Sequence, residues 1–157
     1  MTRLRGRAPC GERVHASAPG GHWHTTTMIS SIRLDGSTAC MAIDSATDTE
    51  VFQTYVRQVL CPTLRPGDVV IMDNLSPHKN EHTLALIVTA GAEVRFLPAY
   101  SPDLNPIEKM WSKVKSLLRS AEARTPADLV QAIGLALAQV TPQYALGWFA
   151  SCGYSFI

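Results

Sequence analysis

The chain has 157 residues, with 14 Lys and Arg against 13 Asp and Glu and a net charge of +1. This length fits one domain, and 46% hydrophobic residues is ordinary for a globular fold in water. No apolar run approaches the roughly 18 residues of a membrane span, and the basic N-terminus lacks the apolar segment of a secretory signal.

The first 22 residues are rich in Gly, Pro and Arg and are predicted to form an irregular basic arm ahead of a folded domain at 23–157. Arg3, Arg5 and Arg7 alternate, so in an extended segment they would share one face that can grip DNA phosphates. A solvated, flexible chain end is an equally good interpretation of the same pattern.

A hairpin is predicted next. The β-rich segment from His24 to Leu34 leads into Asp35-Gly36, a two-residue turn signal, and Thr38 to Ile43 is the returning strand. The segment Thr47 to Glu50 has the pattern of a capping box that opens a helix ending near Leu60.

The middle of the chain alternates between strand and helix signals. Asp68 to Met72 is predicted as a central strand covered on both sides, because it is a short apolar run. A helix follows from about Glu81 to Ala90 and is ended by Gly91, and Glu93 to Leu97 is the next strand.

The last third contains three helix starts with one pattern, a capping residue followed by proline at the first helical position. These starts are Asn105-Pro106, Thr125-Pro126 and Thr141-Pro142. The full order indicates an α/β protein with a mixed sheet and helices on both faces. It is similar to the ribonuclease-H-like fold if the first strand of that fold is missing or incomplete.

Two carboxylates stand out. Asp73 follows the apolar run, so it lies at the carboxyl edge of a strand, where open α/β sheets place ligand groups. Glu108, with 34 residues between it and Asp73, lies in the first turn of an amphipathic helix. Such residues can meet in space to hold divalent metal ions. The alternative is a purely structural role, in which Asp73 caps a turn and Glu108 completes a capping box with Asn105.

The helix after Pro106 adds a further signal beyond the cap. Its apolar stripe runs through Trp111 and Val114, and Glu108 lies beside that stripe. Lys115 and Arg119 follow on the same flank, where they can track a DNA backbone next to an acidic metal site. A row of surface charges that only stabilises the helix is the alternative.

Two segments resemble the signature blocks of DDE transposases of the mariner-like bacterial insertion-sequence family. The first is Met72-Asp73-Asn74 with His78 downstream. The second is the proline-studded segment from Leu97 to Glu108, with Trp111 beyond it. The segment from Arg3 to Arg13 also resembles the family's sequence after its first catalytic strand, so the similarity covers essentially the whole chain.

The resemblance implies a metal-dependent endonuclease domain that cleaves DNA at transposon ends and transfers the strand to target DNA. Asp73 and Glu108 would be the catalytic ligands of Mg²⁺ or Mn²⁺. Asn74, His78 and Asn105 would support the ligands or contact phosphate. The implied partners are DNA, further copies of the chain in an active oligomer and, in one interpretation, a separate N-terminal transposase product, with no membrane.

The first acidic residue of the family's trio has no counterpart here. Residues 1–22 contain no Asp, and their single acid, Glu12, lies in a glycine-bounded turn. Asp35 is in the hairpin turn, Asp44 follows the returning strand, and Asp48 and Glu50 are explained by helix capping. We therefore expect an incomplete site, weak or inactive by itself, in a truncated or frameshift-split product that also lacks the family's DNA-reading domain.

Two other functions remain open. His78-Lys79-Asn80-Glu81-His82 matches the inverted zinc-protease pattern, which needs both histidines on one helix. A DNA-binding or oligomerising module that keeps the fold without chemistry is the other alternative. The four cysteines are far apart without a Cys-x-x-Cys pair, which predicts reduced thiols in a cytoplasmic protein.

Overall fold

A computed structural model of the chain describes residues 6–15 and 25–155. It contains four strands and five α-helices in this part of the chain. The strands are β1 (Thr27–Ile32), β2 (Thr38–Ile43), β3 (Val69–Met72) and β4 (Glu93–Phe96). The helices are α1 (Thr49–Tyr55), α2 (Glu81–Thr89), α3 (Pro106–Ala121), α4 (Pro126–Leu137) and α5 (Pro142–Ser151).

Strands β1 and β2 form the predicted antiparallel hairpin, with Ile32 opposite Thr38. The turn is longer than the two residues predicted, because the Arg33 amide donates to the Ser37 carbonyl and three residues lie between them. Gly36 occupies this turn at φ +82°, a backbone conformation that glycine adopts without steric cost. Asp35 accepts hydrogen bonds from the amide and the hydroxyl of Ser37, which fixes the turn.

Strands β3 and β4 pair in parallel, with Val70 opposite Val94, and α2 connects them. Within the described residues these four strands form two separate two-stranded sheets and not the single mixed sheet that was predicted. The prediction that β3 is covered on both sides is also wrong, because Val69 and Ile71 are 45% and 37% exposed. The architecture is thus mixed α/β, with small sheets.

The helical boundaries follow local sequence signals. Asp48 caps α1 by accepting from the Val51 amide, so the expected capping box is replaced by a single aspartate cap. The helix continues as a π-helical turn at Val56–Leu60 and a 3₁₀ turn at Cys61–Thr63, past the predicted end. Thr125 and Thr141 cap α4 and α5 as predicted.

Two apolar clusters hold these elements together. One joins α1 and α2 to the sheets through Phe52, Val56, Met72 and Ile87. The second joins α3 and α4 through Met110, Val114, Leu118 and Ile133, with Met28 and Ile32 of β1 packed against it. Ile29 packs against the first cluster. Alternate residues of β1 therefore contact helices on opposite faces, as the predicted layering requires.

The remaining predictions concern the cysteines, the membrane and the N-terminal arm. All four cysteines are free thiols. No helix in the described segments is both long enough and apolar enough to cross a bilayer. Residues 6–15 are exposed and irregular, with a turn in which the Glu12 amide donates to the Pro9 carbonyl.

Candidate functional site

Asp73 directly follows β3, as the sequence predicted, and its side chain is 44% exposed. Its Oδ1 atom receives two contacts. His78 Nδ1 lies 2.6 Å away, and the Leu75 amide donates to the same oxygen at 3.3 Å. Both contacts fall on Oδ1, and Asp73 lies in the lining of a cavity.

His78 belongs to a 3₁₀ turn at Ser76–Lys79 that follows β3. Its ring packs against Phe52 of α1, with centroids 4.3 Å apart. The imidazole is therefore fixed from one side by an aromatic ring and from the other by Asp73. This double contact gives His78 a positioning role toward the Asp73 carboxylate.

Asn74 connects the ends of the two parallel strands. Its side-chain amide donates a short hydrogen bond to the Leu97 carbonyl, immediately after β4. The segment from Leu97 to Asn105 thus leaves the sheet at the edge where Asp73 lies, and it leads into α3. Asn74 therefore links the segment after β3, which carries Asp73, to the segment that leads to Glu108. Its side chain does not line the cavity that contains Asp73.

One cavity of about 680 Å³ is lined by four of the five residues predicted to hold or support a metal ion. Its lining includes Asp73, His78, Asn105 and Glu108. Glu108 is exposed in the first turn of α3. The expected capping box is absent, since the Asn105 side chain makes no capping hydrogen bond. The amide of Asn105 and the carboxylate of Glu108 are therefore not committed to the helix end.

The other acids examined in the sequence do not join this group. Asp44, Asp48 and Glu50 are outside the cavity lining. Asp44 accepts a hydrogen bond from Thr26, and Asp48 caps α1. Asp35 lines the cavity, but the Ser37 contacts hold it in the hairpin turn.

Asp68 also lines the cavity, at the start of β3. Arg33 binds it through two contacts of 2.7 and 2.8 Å. The arginine lowers the pKa of Asp68 to about 2, mainly through these hydrogen bonds. At about 3.3 Å per residue, Asp68 lies roughly 17 Å along the strand from Asp73, so the two carboxylates serve different ends of the cavity.

The donors near Asp73 fit a hard divalent cation in kind, because carboxylate and amide oxygens are what Mg²⁺ prefers. They do not fit in number. In the described parts of the chain, no group of three or more His, Cys, Asp or Glu side chains is arranged to hold a metal. Asp73, His78 and Glu108 therefore do not form such a group in this structure.

The inverted zinc-protease motif is not assembled. His78 lies in the 3₁₀ turn, and Asn80 caps α2 by accepting from the His82 and Thr83 amides. Glu81 and His82 are exposed in the first turn of that helix. The two histidines are four positions apart but belong to different elements, so they do not share the face of one helix that the zinc motif requires.

The predicted DNA contacts are distributed over two regions. Lys115 is exposed on α3, and Arg119 on the same flank is partly buried. Arg7 is exposed in the irregular segment 6–15. Arg3 and Arg5 lie outside the described residues.

No local sequence signal indicated the ion pair between Arg33 and Asp68, which are 35 positions apart. It also missed the apolar cavity walls formed by Phe149 and Tyr154 of the C-terminal region. The Tyr154 hydroxyl donates to the Leu104 carbonyl at 3.0 Å and so holds the segment that precedes Glu108. The local signal for this region was the start of α5, where Thr141 is followed by Pro142. It predicted a helix but not that the helix would contribute to the cavity wall.

Two comparisons with known proteins bear on the family of this chain. A search of curated proteins found no match. A comparison with protein families matches residues 1–130 to the family described as DDE superfamily endonuclease. This match includes both Asp73 and Glu108 and most of the chain. Enzymes of this superfamily use divalent metals and act on DNA. The chain therefore belongs to the DDE superfamily endonucleases.

Proposed function

We propose that this chain is the catalytic domain of a DNA transposase, which cleaves phosphodiesters at transposon ends and transfers the strand to target DNA. The observation that carries the proposal is the shared cavity. It places Asp73, from the end of a parallel strand, and Glu108, from the first turn of α3, on one surface with His78 and Asn105. Membership of the superfamily makes DNA the substrate class.

In this proposal Asp73 and Glu108 are the ligands of Mg²⁺ or Mn²⁺. His78 keeps the Asp73 carboxylate in one orientation, and the amide of Asn105 faces the same cavity. A divalent ion held here would supply Lewis-acid stabilisation of charge on the phosphate and a more acidic bound water. Asn74 acts indirectly, since its bond to Leu97 fixes the segments that carry both acids.

The positive residues would hold the DNA backbone. Lys115 and Arg119 continue the flank of α3 on which Glu108 lies, so a strand bound at the metal site would run past them. Arg3, Arg5 and Arg7 are proposed as a second contact from the N-terminal arm. Such contacts position DNA without reading its sequence.

We further propose that the domain is weak or inactive by itself and works in an oligomer with a further polypeptide. Two carboxylates carry too little charge to fix two divalent ions, and Mg²⁺ loses its water reluctantly. Among the described residues, no group of three or more His, Cys, Asp or Glu side chains is arranged to hold a metal.

The test is a cleavage assay with Mg²⁺ and with Mn²⁺ on duplex DNA carrying the element's ends. We expect slow nicking in Mn²⁺ that disappears in Asp73→Asn and in Glu108→Gln. Asp103→Asn and Glu81→Gln are matched controls, since both residues are exposed and lie outside the cavity lining. Nicking that survives Asp73→Asn would contradict the assignment. Rapid cleavage in Mg²⁺ that requires Asp73 would show that another acid completes the site.

A non-catalytic DNA-binding or oligomerising module is the second candidate. The absence of a third acidic ligand among the described residues favours it. It predicts that Asp73→Ala leaves DNA affinity unchanged and that neither the parent nor the variant cleaves DNA in any metal.

A further inference from the structure

A second cavity, of about 610 Å³, lies between α3 and α5. Its described lining comes from residues 109–117 of α3 and 144–151 of α5, and we name it the α3–α5 groove. The groove adjoins the cavity that contains Asp73, because Glu108 lines that cavity and the next residue, Lys109, lines the groove. The two cavities therefore meet at the first turn of α3.

The α3 side of the groove is basic. Lys109 and Lys113 lie one turn apart on this helix, and no acid is among the groove residues that the structure describes. Neither lysine forms an ion pair with a carboxylate of the described residues. Ser112 and Ser116 line the same side and carry hydroxyl groups that can donate to an anion. Cations and hydroxyl donors without an acid are complementary to a phosphodiester backbone.

The α5 side of the groove is aromatic. The rings of Tyr144 and Trp148 are nearly parallel, with 18° between their planes and 5.6 Å between their centroids. At this separation two parallel rings are offset and do not cover each other face to face. Tyr144 is 45% exposed, and Lys113 Nζ lies 4.1 Å from its ring centroid. The groove thus presents a cation directly beside an accessible aromatic ring.

The aromatic pair stands on a fixed backbone. Thr141 caps α5 by accepting a hydrogen bond from the Tyr144 amide, and the next residue, Ala145, is fully buried. Trp148 packs against the apolar cluster that joins α3 and α4. Tyrosine and tryptophan rings held in this way provide a large contact area at a small cost in conformational entropy.

The groove lies on a different side of α3 from the flank proposed for duplex DNA. At about 100° per residue, Lys115 and Arg119 lie within about 20° of Glu108 around the helix axis. Lys109 and Lys113 lie about 100° and 140° away from Glu108. A duplex keeps its bases paired and stacked inside the helix, so it cannot place one on an aromatic ring. An unpaired strand offers both phosphates and free base faces.

We infer that the α3–α5 groove binds single-stranded DNA, with its phosphates at Lys109 and Lys113 and one unpaired base stacked on Tyr144. A basic groove with aromatic stacking surfaces is the combination that holds a single strand without reading its sequence. The inference rests on the proposed function in one respect, which is that the strand belongs to the DNA bound at Asp73 and Glu108.

The first experiment measures strand binding without the metal site. A fluorescein-labelled oligothymidylate is titrated with the 157-residue chain in EDTA and followed by anisotropy. Tyr144→Leu should weaken binding about tenfold because it removes the stacking surface, and Tyr144→Phe should bind as the parent does. Tyr100→Leu is the matched control, since Tyr100 is fully exposed and lies outside the groove. Equal affinity of Tyr144→Leu and Tyr100→Leu, in variants that unfold at the temperature of the parent, would overturn the inference.

The second experiment locates the phosphates. Lys109→Ala and Lys113→Ala should each weaken oligothymidylate binding and lower its salt dependence by about 0.7 of a released ion. Arg57→Ala is the control, because Arg57 is exposed and lies outside the groove. Salt slopes that are the same in all three variants would contradict the assignment of the lysines.

The third experiment detects stacking itself. A 2-aminopurine placed within the oligothymidylate loses fluorescence when it stacks on an aromatic ring. This quenching should persist in Tyr144→Phe and be mostly lost in Tyr144→Leu at saturating protein. Quenching that is the same in both variants would show that the base does not lie on Tyr144 and would overturn the inference.

Two other occupants of the groove have distinct outcomes. If Tyr144→Leu weakens binding of a duplex of the same length as much as binding of the oligothymidylate, the assignment to an unpaired strand is wrong. If Tyr144→Leu abolishes self-association of the chain and leaves oligothymidylate binding unchanged, the groove is an interface between copies and the inference is wrong.

The cleavage assay separates this inference from the proposed function. Oligothymidylate binding that depends on Tyr144, by a chain that nicks DNA in neither Mg²⁺ nor Mn²⁺, would keep the groove and reject the cleavage. Asp73-dependent nicking, with oligothymidylate binding that neither Tyr144→Leu nor Lys113→Ala weakens, would reject the groove and keep the cleavage.

Discussion

Asp73 and His78 are joined through a 2.6 Å contact between Oδ1 and Nδ1, and the same imidazole packs on Phe52. The carboxylate is therefore oriented before any ligand arrives. Groups that orient a metal ligand in this way are worth about 10- to 100-fold in metal affinity or activity.

The first prediction follows from that contact. His78→Ala should weaken Mn²⁺ binding by about tenfold, because the Asp73 carboxylate would lose its orientation. His82→Ala is the matched control, since His82 is exposed in α2 and away from the cavity. Titration followed by electron paramagnetic resonance measures free Mn²⁺ directly. An equal loss of Mn²⁺ affinity in the two variants would show that His78 has no specific role in orienting Asp73.

The second prediction concerns Arg33 and Asp68 and the pH dependence of stability. The pKa of Asp68 is lowered from its ordinary value of 3.8 to about 2, so its ionised form favours the folded state. This contribution is fully present above about pH 4 and is lost as the pH falls toward 2. Asp68→Asn should therefore lower the free energy of unfolding by about 1 kcal/mol at neutral pH and by much less near pH 2.

Urea unfolding at several pH values measures that difference. Glu93→Gln is the control, because Glu93 and Arg95 form an exposed pair on β4. We expect no measurable change in that variant. If Asp68→Asn lowers the free energy of unfolding by the same amount at neutral pH and at pH 2, the ion pair does not stabilise the fold through the charge of Asp68.

The third prediction concerns the tip of the hairpin. Gly36 has φ +82°, and a Cβ atom built there would lie 2.8 Å from the carbonyl carbon of Thr141. Gly36→Ala should lower the free energy of unfolding by about 1–3 kcal/mol, through backbone strain and displacement of the start of α5. Gly134→Ala in α4 meets nothing within 4 Å and should stabilise the fold by up to about 1 kcal/mol. Thermal unfolding of both variants tests the contrast.

The sequence predicted the elements whose signals are local. The predicted starts of α4 and α5 are confirmed. They were predictable because the Thr125 and Thr141 hydroxyls accept hydrogen bonds from amides only three residues away. The predicted end of α2 is also confirmed, since the helix stops just before Gly91, which has φ +85°. The neighbours of β3 could not be predicted in the same way. Its apolar sequence indicates burial, but exposure depends on strands and helices that are distant in the chain.

The candidate site was predictable only in part for the same reason. The places of Asp73 at a strand end and of Glu108 in the first turn of a helix were predictable because each follows a strong local signal. The Asn105 cap was wrong, although the same pattern was right at Thr125, because the loop before α3 places the Asn105 side chain differently. The cavity between the sheets depends on contacts such as that of Arg33 with Asp68, 35 positions apart, and has no sequence signature.

The fourth prediction concerns DNA affinity. Lys115→Ala and Arg119→Ala should each weaken binding to duplex DNA and reduce the salt dependence by about one released ion. Arg57→Ala is the control, because Arg57 is exposed next to α1, away from α3. Fluorescence anisotropy at several salt concentrations gives the slopes. An unchanged slope in both α3 variants would remove that flank from the DNA path.

The central claim is that Asp73 and Glu108 hold the same divalent ion, and a crystal soaked in Mn²⁺ tests it most directly. We predict an anomalous scattering peak about 2.1–2.2 Å from Oδ2 of Asp73 and from a carboxylate oxygen of Glu108. This peak should be absent from crystals of Asp73→Asn. A peak on His78 and His82, or ions bound to Asp73 and Glu108 separately and too far apart to share a phosphate, would contradict the account.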